Sequence, residues 1–212
     1  MYTVLVDFFQ KGGAFMYPIL LVFAIGVAIA IERYMYLTYA RRNNRKALAK
    51  LMPVLESGDF QQAYSMTSQY KSTVSQMLSQ GLARLRTASN RDDIEMAMEE
   101  TMMETIPRLE KRTHYLAMFA NIATLLGLLG TIIGLIKAFT AVAQVDPSMK
   151  AEILSSSISV AMNTTAFGLI VAIPLIFIYT VMQTKTTEVV DSLEMATVKF
   201  ANLLVRRKKT DS

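Results

Sequence analysis

No cysteine occurs among the 212 residues. That absence removes disulfides, thiolate metal sites and cysteine nucleophiles together. Other enzyme signatures are missing too: no metal-ligand spacing, no nucleophile elbow and no glycine-rich loop between a strand and a helix. Charge is scarce in three long stretches. Ile153 to Gln183 holds 31 residues without Asp, Glu, Lys, Arg or His, Tyr115 to Val145 holds only Lys137, and Gly12 to Ile31 is uncharged up to Glu32-Arg33. About 20 apolar residues suffice to cross a hydrocarbon core of about 30 Å, so each stretch is long enough to span. No internal repeat is evident, which argues against a secondary transporter built from inverted halves.

What is present is apolar material in blocks, with 52% hydrophobic residues overall. The expectation is an all-α membrane protein with transmembrane helices at 12–38, 114–145 and 153–183. Only Lys11 precedes the first block, its apolar run is too long and no small-x-small cleavage site follows, so it reads as a retained signal anchor. The net charge of +5 does not cluster on an aromatic-bearing domain, which excludes a nucleic-acid partner and leaves the cations as topology signals. Residues 39–113 carry 12 Lys+Arg and the tail from 184 carries 6, whereas 1–11 and the 146–152 loop carry one each. The positive-inside rule then places 1–11 and 146–152 outside, and 39–113 and 184–212 in the cytoplasm.

The 39–113 segment predicts a helical domain. Arg41 to Leu55 is rich in good helix formers, Glu56-Ser57-Gly58-Asp59 supplies a stop and an N-cap, and another helix should begin near Phe60. Ser89-Asn90-Arg91-Asp92 offers a further cap, followed by an apolar stripe of Ile94, Met98, Met102 and Leu109. The pattern predicts one helix of about 50 residues, about 75 Å long, running into the second span with Pro107 its lone breaker. Val189, Leu193, Ala196, Phe200 and Leu203 extend the third span in the same way and should pack against that extension. The Arg206 to Lys209 run reads as a solvated tail, with anionic lipid the alternative.

The spans carry small and hydroxyl-bearing residues in register. Gly127, Gly130, Thr131 and Gly134 fall at i, i+3, i+4 and i+7, giving a face along which another helix can approach. Ser157, Ala161, Thr164, Thr165, Gly168 and Ala172 lie within about 100° of one another on the third span. Two readings fit: threonines bonded back to their own helix, or a lining that passes protons or cations because hydroxyls replace hydration oxygens without trapping the ion. Ser159 and Asn163 fall off this face and suit contacts between helices. No span offers a carboxylate at mid-depth. Glu32-Arg33 lies at an edge, Lys137 can snorkel, and His114 reads as an aqueous-facing interface residue. An ion path would need its carboxylate from another polypeptide.

The stretches Leu126-Gly127-Leu128-Leu129-Gly130-Thr131-Ile132-Ile133-Gly134 and Thr164-Thr165-Ala166-Phe167-Gly168-Leu169-Ile170-Val171-Ala172-Ile173-Pro174 resemble the MotA/TolQ/ExbB family, and three spans favour its ExbB/TolQ branch. The resemblance implies an inner-membrane homopentamer around a dimer of a single-span partner similar to ExbD or TolR, whose membrane aspartate carries the ion. It further implies force sent across the periplasm, as in TonB-type uptake, with Tol-type envelope maintenance and gliding- or flagellar-type motility as alternatives. Thr131, Thr164, Thr165 and Ser157 would line the ion path, and Pro174 would bend the helix. No cofactor is implied; the transported ion is a proton, with sodium the alternative. Many relatives have glutamate where this chain has Val160, so no role of that glutamate carries over.

Overall fold

The computed structural model describes residues 12–85 and 90–210, with side-chain surroundings through residue 204. Lys11, Ser89 and the side chains of the Arg206 to Lys209 run lie outside the described residues. Among the described residues six helices follow one another: α1 Met16–Ser57, α2 Phe60–Thr67, α3 Thr73–Arg84, α4 Arg91–Glu110, α5 Thr113–Val142 and α6 Lys150–Thr210. Three stretches of helix are long and apolar enough to cross a membrane, beginning at Met16, Arg91 and Lys150. Only 28, 22 and 28% of their most apolar windows are buried inside the protomer. Most of that apolar surface therefore faces outward, toward lipid or other chains.

The chain divides into two compact units, Met1–Glu32 with Arg112–Val181 and Arg33–Lys111 with Met182–Ser212. The second unit is built from short amphipathic pieces with identifiable ends. Gly58, at φ 81°, terminates α1, and Asp59 Oδ1 accepts the Gln62 N–H at 2.9 Å to start α2, as the sequence predicts. Ser72 Oγ accepts the Ser75 N–H at 3.2 Å to start α3. Asp93 accepts the Asn90 N–H at 3.3 Å to start α4. The predicted stripe on α4 is buried, Ile94, Met98, Met102 and Leu109 included, and so are Val189, Leu193, Ala196 and Phe200 on α6. The two stripes meet: the Thr197 hydroxyl lies 3.6 Å from Met102 Sδ, and 3.3 Å from Met77 Sδ on α3. Phe200 stands edge-on to Phe60, with centroids 6.2 Å apart.

The uninterrupted helix expected from about residue 90 into the second span does not form. Lys111 leaves helical geometry at ψ 133°, and Arg112 adopts a left-handed conformation at φ 65°. Pro107 gives no N–H to the last turn of α4, and side chains from α1 hold the break. In the second unit Arg33, 3% exposed, donates to the Leu109 carbonyl and lies 4.8 Å from the Tyr36 ring centroid. In the first unit Glu32 accepts from Arg112 at 3.2 Å. An orphan carbonyl at a helix end and a strained arginine thus each gain a charged partner.

Candidate functional site

The glycine face of α5 and the small-residue face of α6 lie against each other in the first unit. A methyl group on Gly127 would come within 3.2 Å of Thr165 Cα and 3.4 Å of Gly168 Cα. On Gly168 it would come within 2.7 Å of the Ala123 carbonyl oxygen. These neighbours are backbone atoms that no rotamer change can move, so glycine sets the helix separation. Further along, Gly130 abuts Thr164, and a methyl group on Gly134 would meet Ala161 Cβ at 2.8 Å. Ala161 and Ala172 are buried on the same face.

Closeness of the backbones brings the hydroxyls together. Thr131 and Thr165, one from each helix, are hydrogen-bonded to each other, and both are half-buried. Thr165 Oγ1 lies 2.9 Å and Thr131 Oγ1 3.2 Å from the Gly127 carbonyl. Thr164 differs from them. It is 3% exposed, and its hydroxyl lies 2.6 Å from the Gly12 carbonyl and 3.0 Å from the Val160 carbonyl.

The sequence pattern held no signal for Gly12. The turn before α1 folds back so that its carbonyl reaches α6, and Phe15 Cβ comes within 3.3 Å of a methyl group built on Gly130. Ser157 is half-buried and makes no hydrogen bond to a described residue, and the same holds for Asn163. Ser159 and Val160 are exposed. Helix α6 continues through Pro174, which is exposed. Among the described residues no cluster of His, Cys, Asp and Glu suits a metal ion. No Asp or Glu lies between 113 and 145 or between 153 and 187.

A model of the MotA/TolQ/ExbB proton channel family matches residues 69–195, which include both threonine-bearing faces. The chain belongs to that family. Its relatives place it in the ExbB branch. A biopolymer transport protein ExbB homologue of Methanothermobacter thermautotrophicus is 29% identical over 191 residues, covering 89% of this chain and 66% of the relative. ExbB1 of Vibrio cholerae is 28% identical over 167 residues, covering 78 and 73%. TolQ of Haemophilus influenzae is 28% identical over 111 residues, covering 52 and 48%. The chain thus spans just under two thirds of the archaeal relative's length. Membership in the MotA/TolQ/ExbB family, with three apolar helices, makes this a multi-pass inner-membrane protein of a channel and transport class rather than an enzyme class.

Proposed function

We propose that the chain is the ion-channel subunit of an inner-membrane motor. Several copies, five by family resemblance, surround a dimer of a single-span ExbD- or TolR-like partner whose membrane aspartate carries the ion. Proton flow, with sodium the alternative, is converted into force on a TonB-like protein that spans the periplasm. The topology is that of the charge pattern: 1–11 and 146–152 periplasmic, 39–113 and 184–212 cytoplasmic.

One observation carries this reading: the Thr131–Thr165 hydroxyl pair stands on a glycine-packed face within spans that contain no carboxylate. Neutral hydroxyls solvate a cation or a protonated carboxyl without holding it, and the acid that moves the charge must come from elsewhere. Thr164 and Ser157 flank the pair on α6, and Pro174 supplies the bend that shapes the path. Replacing Thr165 with valine removes the hydroxyl at nearly constant volume. The variant should assemble and retain its single-span, aspartate-bearing partner while the driven process falls by about tenfold or more, and Thr165→Ser should restore it. A purified monomer that conducts without any partner would overturn the reading.

A second reading, a non-conducting scaffold, is favoured by the hydroxyls of Thr124, Thr131, Thr164 and Thr165 all lying within reach of backbone carbonyls. It predicts full activity for Thr165→Val. Similarity to TolQ over 111 residues keeps Tol-type envelope maintenance as the alternative to uptake for the driven process. The periplasm-spanning protein that co-purifies decides between them.

A further inference from the structure

Two faces of the second unit carry opposite charge at matching helical spacing. On α1, Thr38, Arg42, Arg45 and Ala49 recur at i, i+4, i+7 and i+11 and, with Arg41 and Lys46, line a shallow groove of 460 Å3. On α4, Asp93, Ala97, Glu100 and Glu104 recur at the same spacing along a 760 Å3 groove shared with Gln76, Gln80 and Arg84 of α3, so that three carboxylates stand against one cation. Arg41 is paired with Glu188 at 2.8 Å, but Arg42, Arg45, Lys46, Glu100 and Glu104 are exposed and have no ion-pair partner among the described residues. Met96, 60% exposed, sits on the rim of the acidic groove, where it offers apolar surface to an arginine stem.

We propose that these faces are the two halves of one interface between copies of this chain, the basic face of α1 in one copy entering the α3–α4 groove of the next. The inference rests on the homo-oligomer in the proposed function and names the surface that builds it. Opposite charges on different faces of one protomer make a head-to-tail contact, which builds a ring where the rotation between copies closes, rather than a two-fold pair. The alternative occupant of the basic face is an anionic bilayer surface, and the geometry disfavours it. The cations run along the axis of α1, with Arg45 about 9 Å and Lys50 about 16 Å beyond Tyr39 at 1.5 Å per residue. A bilayer surface meets a spanning helix at one level, and its potential decays within about 8 Å at physiological salt. A stripe of that length suits a second helix.

The absence of native cysteine makes the test clean. Two differently tagged full-length chains, one carrying Arg45→Cys and the other Glu100→Cys, are co-expressed, and their membranes are oxidised. The expected product is a disulfide-linked dimer containing both tags, absent when Arg45→Cys is paired with Met195→Cys on an exposed α6 position. Arg45→Glu or Glu100→Arg alone should weaken the purified oligomer about tenfold, and the double reversal should restore it. If either reversal prevents folding, the cysteine pair still decides. An oligomer that forms without the mixed cross-link overturns this interface while the homo-oligomer stands. A chain that remains monomeric overturns both. Removal of Arg42, Arg45 and Lys46 that abolishes binding to phosphatidylglycerol vesicles and leaves the oligomer intact assigns the face to lipid and overturns the proposal.

Discussion

Gly168 and Gly26 form a matched pair for testing how α5 and α6 are held. A methyl group on either would come to 2.7 Å of a neighbour, the Ala123 carbonyl oxygen for Gly168 and Leu175 Cδ2 for Gly26. The distances agree and the neighbours do not. Leu175 can change rotamer at about 0.5–1.5 kcal/mol, and the helix gains about 1 kcal/mol when glycine becomes alanine. Gly26→Ala should therefore be nearly neutral. Gly168→Ala has no such relief, because Gly127 Cα also lies at 3.1 Å and the whole contact must open. Overpacking of this kind costs about 1–3 kcal/mol, and loosening the Thr165 bond to the Gly127 carbonyl adds about 1 kcal/mol. After the helix gain is subtracted, a net loss of about 1–3 kcal/mol remains. At about 2–4 °C per kcal/mol for a chain of this size, that lowers Tm by roughly 2–12 °C. Thermal melts of the detergent-solubilised protein by circular dichroism read both variants. Equal Tm values for Gly168→Ala and Gly26→Ala, or a stabilised Gly168→Ala, would refute the claim that backbone contact fixes the helix separation.

Phe200→Ala should be the most damaging of the other substitutions, at about 3–5 kcal/mol, because the ring is fully buried against Phe60 and the α3 and α4 cores. Denaturant titration checks it, and a loss below about 1 kcal/mol would contradict the packing described. Arg33→Gln removes a buried guanidinium from the Leu109 carbonyl, a loss of about 1.5–3 kcal/mol. Hydrogen exchange should quicken at residues 109–113 and be unchanged in α3; uniform exchange across both helices would count against it. Arg41→Ala, by contrast, breaks a half-exposed pair with Glu188 and should change stability by no more than about 1 kcal/mol.

Three parts of the fold were legible because their causes are local. Gly58-Asp59 ends one helix and caps the next through its own backbone and side chain, and the α4 and α6 stripes are set by the 3.6-residue period. The register of Gly127, Thr131, Thr165 and Gly168 was legible for the same reason, since spacing along a helix determines which face a residue occupies. The break at Arg112 was not. Nothing in Lys111-Arg112-Thr113 marks a left-handed residue, and the groups that hold it, Glu32 and Arg33, are about 80 positions away in sequence. Gly12 escaped notice for a similar reason: its carbonyl accepts from Thr164, 152 residues distant, and a carbonyl has no side-chain signature.

The hydrogen-bond inventory of the threonine pair constrains what can stand beside it on the proposed reading. Two hydroxyls carry two protons, and the acceptors close at hand outnumber them: the Gly127 carbonyl serves either, each threonine oxygen serves the other, and the Ala161 carbonyl lies 3.5 Å from Thr131 Oγ1. With Thr165 donating to Gly127 and Thr131 donating to Thr165, both protons are used and lone pairs on the threonine oxygens remain. The pair is then an acceptor site with no free donor. A cation or a protonated carboxyl can bond to it, whereas an ionised carboxylate finds lone pairs facing its own. On the proposed reading, a partner aspartate passing this point is favoured in its neutral form while the two hydroxyls keep these bonds. Thr165→Asn, which adds an amide donor, should retain assembly and slow the driven process by stabilising the ionised aspartate here. An asparagine variant as active as the native chain would remove this step from the mechanism.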